Sequence, residues 1–109
     1  MALIEREAKI VNPLGLHARP AAEFVKLANR FRAAIEVRKD DLAVNGKSIM
    51  GMMMLAAECG SSLLIRADGD DAEQAMAALL ALVADGFHEM DLTAERREAE
   101  GREESTGLS

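Results

Sequence analysis

The sequence has no tryptophan, no tyrosine and only three phenylalanines. A core of stacked rings is therefore excluded. The hydrophobic half of the chain must close its interior with Ala, Leu, Ile, Val and Met. Cys59 is the only cysteine, which excludes an intrachain disulfide and suits a reducing cytoplasm. No motif surrounds it, so it reads as a bystander thiol rather than a reactive one. No apolar run approaches the length of about 18 residues or more that a membrane span requires. The opening "MALIEREAKI" is charged by its fifth residue and offers no signal core. Positive charge is also scarce: Asp and Glu number 19 against 13 Lys and Arg, a formal net charge of −6. That balance weighs against nucleic acid and anionic membranes as partners.

A length of 109 residues points to one domain. We expect a folded body over 1–90 and a disordered tail over 91–109, where six acids and three arginines replace apolar periodicity. Within the body, "LIEREAKIV" alternates apolar with charged residues and predicts a strand over about 3–11, ended by "NPLG". Ala21, Phe24, Val25, Ala28 and Phe31 then recur at helical spacing. "AAIEVRK" and "LAV", joined by "KDD", read as a hairpin of two strands. "SIMGMMMLAAECG" reads as a short helix running to near Gly60, with methionines suited to core or contact face. "SSLLIRA" is a further strand. The last helix carries a stripe of Ala72, Met76, Leu79, Leu80 and Val83, with Asp70 and Glu73 spaced as a capping box and Gly86 placed to stop it. The order is β-α-β-β-α-β-α, an α+β architecture of one mostly antiparallel sheet with helices on a single face.

The residues with most chemistry lie in "NPLGLHARPAAEF". Pro20 is tolerated only in the first turn of a helix, so the helix starts just before it and His17 sits at or beside the N-cap. Backbone N–H groups and the helix dipole converge there, which makes an anion site. By position alone three readings stand. The imidazole is a nucleophile that accepts a phosphoryl group, with Arg19 contacting the added oxygens; or it is a general base; or it merely caps the helix. No nucleophile or carboxylate pair flanks it at a useful spacing for base catalysis. His88 is the only other histidine, and no His/Cys/carboxylate cluster has metal-ligand spacing. No nucleotide-binding glycine loop is present. No metal or cofactor is expected.

"GLHARPAA" resembles the active-site signature of the histidine-containing phosphocarrier proteins (HPr) of the bacterial phosphotransferase system. "NGKSIMGMMMLAAECGS" is similar to that family's second signature, and the likeness spans about residues 3–88. The resemblance implies an open-faced β-sandwich of a four-stranded, mostly antiparallel sheet and three helices. It also implies that His17 carries the phosphoryl group on Nδ1, beside Arg19 and the signature proline Pro20. Ser48 takes the place of a serine phosphorylated in some lineages by a dedicated kinase/phosphorylase, and its position opening a helix also makes it a natural N-cap. The implied partners are enzyme I, which draws on phosphoenolpyruvate, and an enzyme IIA-type protein. The chain would be an intermediate in phosphoryl transfer rather than an enzyme with a small-molecule substrate. Leu16, Pro20, Lys47, Ile49, Met50 and Met53 are expected to form the docking surface of a cytoplasmic monomer. The acidic extension and the wording of the second signature lean toward the nitrogen-related branch (NPr), so the role is expected in sugar uptake or in nitrogen and carbon regulation. The alternative is a regulatory binding module controlled through Ser48.

Overall fold

Alternation of apolar and polar residues builds a four-stranded sheet. The computed structural model describes residues 2–89; the expected tail over 91–109 lies outside them. The strands are β1 (Ala2–Lys9), β2 (Ala34–Lys39), β3 (Leu42–Asn45) and β4 (Ser62–Gly69), in spatial order β1-β4-β2-β3 and antiparallel at every pairing. Along β4 every second residue is buried: Leu63, Ile65 and Ala67 point inward. Ile35 and Val37 of β2 do the same opposite Ala67 and Ile65. A period of two gathers the buried apolar residues on one face, which packs against the helices, while Leu3, Leu42 and Leu64 remain exposed. The β1–β4 ladder runs one residue past the strand, since the Ile10 N–H donates to the Ser61 carbonyl and Gly60 N–H donates to Ile10.

The helices are α1 (Ala18–Ala28), α2 (Ile49–Met54) and α3 (Ala72–Ala84). Ala21, Phe24, Val25 and Ala28 form the buried face of α1, with Phe24 fully enclosed. In α3, Ala72, Met76, Leu79 and Val83 are buried as the spacing requires, Leu80 is partly buried, and Ala75 and Leu82 join them. The scarcity of rings is met by aliphatic packing, with Phe24 and Phe87 as the two large aromatic contributions to the buried cluster.

Two expectations need correction. Helix α2 stops at Met54, well short of Gly60. Ala56 takes a left-handed φ of 49°, and the Ala57 carbonyl turns to accept the Leu16 N–H at 2.8 Å. The demand of the neighbouring loop thus overrides helix propensity in "LAAECG". There is also no capping box at α3. Its N-cap is Asp71, whose side chain makes no cap bond and accepts instead from the backbone N–H groups of Arg32 and Ala33, both at 2.8 Å. The Arg32 N–H, helped by that of Ala33 and opposed by partial burial, holds this carboxyl below its ordinary pKa of 3.8. Gly86 does sit just past the end of α3 at φ 69°, as a helix-stopping glycine should.

No helix among the described residues is long and apolar enough to cross a membrane.

Candidate functional site

The turn that delivers His17 is over-determined by its own backbone. Gly15 N–H donates to the Asn12 carbonyl at 3.0 Å, and Gly15 holds φ 70°. A β-carbon there would lie 2.6 Å from the Ala57 carbonyl oxygen, so only glycine fits. The fully buried Asn12 spans the same turn, its Nδ2 donating to the Gly15 carbonyl at 2.7 Å. The next residue, Leu16, is pinned through its N–H to Ala57.

His17 is the N-cap of α1, in extended backbone conformation (φ −83°, ψ −169°), and its carbonyl accepts the Ala21 N–H at 3.0 Å. His17 thus occupies the cap position, while its ring makes no capping bond. Helix geometry leaves the N–H groups of Ala18 and Arg19 without intrahelical acceptors, and Pro20 in the same turn has none to leave. Arg19 is exposed and makes no ion pair among the described residues.

Among the described residues, the ring of His17, 38% exposed, is bonded only at Nε2. Its Nε2 lies 3.0 Å from both carboxylate oxygens of Glu89, and Asn12 Nδ2 donates to Glu89 Oε1 at 2.6 Å. Two acceptors on Nδ2 fix the orientation of the Asn12 amide, leaving its buried Oδ1 without a partner among the described residues. Glu89 itself is only 4% exposed. It reaches the ring because Gly86, Phe87 and His88 run consecutively at φ 69°, 58° and 63°, a left-handed hook that reverses the chain after α3. For non-glycine residues that conformation costs roughly 1–3 kcal/mol each. The buried phenyl of Phe87 anchors the hook, and the exposed side chains of His88 and Asp85 meet across it.

Asn12 and Glu89 were not singled out by sequence reasoning. The Gly86 stop signal was the only local clue to a chain reversal near Glu89.

The second motif is arranged as a helix start. Ser48 is the N-cap of α2, and its Oγ accepts the Gly51 N–H at 3.0 Å. Lys47 is half-buried, its Nζ donating to the Phe31 carbonyl at 2.7 Å. Helix α2 packs on α1 and leaves Ile49, Met50, Met53 and Met54 exposed, Met50 at 77%, while Met52 closes the core. Two expected docking residues are not at the surface. Leu16 is 5% exposed and Pro20 is fully buried, because the turn that aims His17 outward drives its apolar neighbours into the core. Leu14, 49% exposed on the same turn, and Met54 are surface residues that the sequence reading passed over.

A half-exposed imidazole thus stands at the N-terminus of α1, with an arginine two residues on. Residues 4–85 match the family described as PTS HPr component phosphorylation site. The phosphocarrier protein HPr of Cupriavidus necator is 45% identical over 87 residues, which cover 80% of this chain and 98% of that protein. Among solved structures, HPr-C-His from Thermoanaerobacter tengcongensis is similar with a TM-score of 0.76 and 46% identity, covering 79% of this chain and 97% of that one. An HPr dimer from the same organism is similar at a TM-score of 0.63 and 48% identity, over 72% of this chain and 91% of that one. The chain belongs to the HPr family of phosphocarriers of the phosphotransferase system, and its function is to carry phosphoryl groups. Membership implies enzyme I and enzyme IIA-type proteins as partner classes. The alternative of a purely regulatory module controlled through Ser48 is not favoured.

Proposed function

We propose that His17 accepts a phosphoryl group at Nδ1 from phosphorylated enzyme I, and that the group passes on to an enzyme IIA-type protein. The observation that carries this reading is the uncapped, half-exposed ring at the start of α1, beside backbone N–H groups with no helical acceptor. Three phosphoryl oxygens on the ring meet those N–H groups and the Arg19 guanidinium. The site is open, so the modified state is stabilised only modestly and the group remains transferable. Ile49, Met50 and Met53 form the apolar part of the docking surface, with Leu14 and Met54 extending it. Leu16 and Pro20 support that surface from beneath. Lys47 contributes through its placement of the turn before α2, its ammonium being committed to Phe31.

Ser48 serves first as the cap of α2, which accounts for a serine at that position without modification. A serine kinase/phosphorylase would act on this same hydroxyl, and phosphorylation would place negative charge at the helix start next to the docking methionines. The lone cysteine and the family support a cytoplasmic setting. The working unit in transfer is a monomer, since each partner must reach His17 directly.

To test the central claim, the protein is incubated with phosphoenolpyruvate and enzyme I and its intact mass measured. An acid-labile phosphate adduct is expected on the wild type and absent from a folded His17→Ala variant. Undiminished labelling of that variant would sink the assignment.

A further inference from the structure

We propose that Glu89 is the positioning residue of the phosphoryl-accepting histidine: its carboxylate takes the Nε2–H of His17 and so presents the Nδ1 lone pair to the incoming phosphorus. The proposal rests on the acceptor role given to His17 above and adds to it a residue 72 positions further along the chain.

With Glu89 as the acceptor, the 3.0 Å contacts to both of its oxygens place the proton on Nε2. A neutral imidazole has one N–H, and its lone pair is then on Nδ1. The ring is held by its far nitrogen while the near one stays free to react. Asn12 makes this a braced contact rather than a chance one. One amide donates both to Glu89 Oε1 and to the Gly15 carbonyl, so the carboxylate is tied to the same turn that delivers His17. The burial of Glu89, at the end of three consecutive left-handed residues, has the same meaning. A carboxylate with no task would avoid both the strain and the loss of water.

The charge balance of the reaction gives Glu89 a second effect. The Nδ1 lone pair forms a bond to phosphorus, and the bond between phosphorus and the donor breaks with its electron pair leaving on the donor. No proton moves: the ring keeps Nε2–H and acquires a positive charge. That charge develops beside the Glu89 carboxylate, and it is lost again when the group passes to the acceptor. Glu89 therefore steadies the phosphorylated ring without touching the phosphoryl group.

The test uses the full-length chain. Nitrogen-15 NMR of the unphosphorylated wild type should show neutral His17 as the Nε2–H tautomer, with a downfield Nε2–H proton held back from exchange. Glu89→Ala should lose that resonance. Glu89→Gln keeps the shape and removes the charge; its rate of phosphoryl acceptance from enzyme I should fall roughly tenfold, the usual weight of a hydrogen bond to a charged group. Glu89→Asp should recover part of the loss. An Nδ1–H tautomer in the wild type, or a normal transfer rate in Glu89→Gln, overturns the role of Glu89. If Glu89→Ala does not fold, the wild-type spectrum and the glutamine variant decide the matter alone. A wild-type chain that takes no phosphoryl group overturns the acceptor reading instead, so the two failures are told apart.

Discussion

His17 and Arg19 are two residues apart and were both legible in the sequence, because Pro20 marks the first turn of a helix and so fixes what lies just before it. The groups that hold the His17 ring were not. Asn12 reads as an ordinary turn residue in "NPLG", and Glu89 lies near the end of the expected body with no motif around it. The contact between Glu89 and His17 crosses 72 residues, and no periodicity encodes it. Arg19 offers a prediction at this scale. Exposed near the positive end of the α1 dipole, it gains nothing from the unmodified protein, so Arg19→Ala should change stability by no more than about 0.5 kcal/mol. The phosphoryl oxygens exist only after transfer, and losing a charge-assisted contact to them is worth roughly 1.5–3 kcal/mol, or about ten- to a hundredfold in rate. Arg19→Lys should recover part, since an ammonium lacks the planar fork. Rates of labelling by enzyme I beside thermal midpoints decide it; wild-type transfer by the alanine variant would refute the role.

Strands and long helices were readable because their periods differ and each buries one face. The ends of elements were less so, since ends are where tertiary hydrogen bonds compete with local ones. Helix α2 is shortened to serve Leu16, and Asp71, which propensity would make a cap for α3, is spent instead on the loop between α1 and β2. That diversion has a pH consequence. Two backbone N–H groups favour the ionised carboxyl, so the folded-state pKa lies below the unfolded value near 3.8. The contribution is thus fully present above the ordinary carboxylate pKa and is lost as pH falls through the lower folded value. Asp71→Asn should lower the thermal midpoint at neutral pH and make the acid limb of the stability curve shallower below about pH 4. Equal midpoints for the two proteins at neutral pH would show that the Asp71 bridge between the loop and α3 contributes nothing.

On the scale of the molecule, the fold brings a turn near the start of the described chain and a hook at its end to one ring. The contacts that join Asn12, His17 and Glu89 form only when β1, α1 and α3 are all docked, so the acceptor site proposed above depends on the whole fold. Truncation at two points separates the role of the hook from that of residues 91–109. Those residues carry six of the 19 acids and no apolar periodicity, so a chain ending at Met90 should keep the thermal midpoint and the labelling rate of the full chain. A chain ending at Phe87 keeps the buried phenyl but loses Glu89. Asn12 then has a buried Nδ2 with one acceptor fewer, a loss of roughly 1–3 kcal/mol. In a domain of this size each kcal/mol lowers the midpoint by about 4–8 °C, which scanning calorimetry resolves readily. The shorter chain should also accept phosphoryl groups more slowly, by the same factor as Glu89→Gln, because in both the ring loses the charged partner of its Nε2–H. If the chain ending at Phe87 labels as fast as the one ending at Met90, the hook serves stability alone and His17 needs no partner beyond the start of α1. If the chain ending at Met90 is already impaired, residues 91–109 belong to the working site.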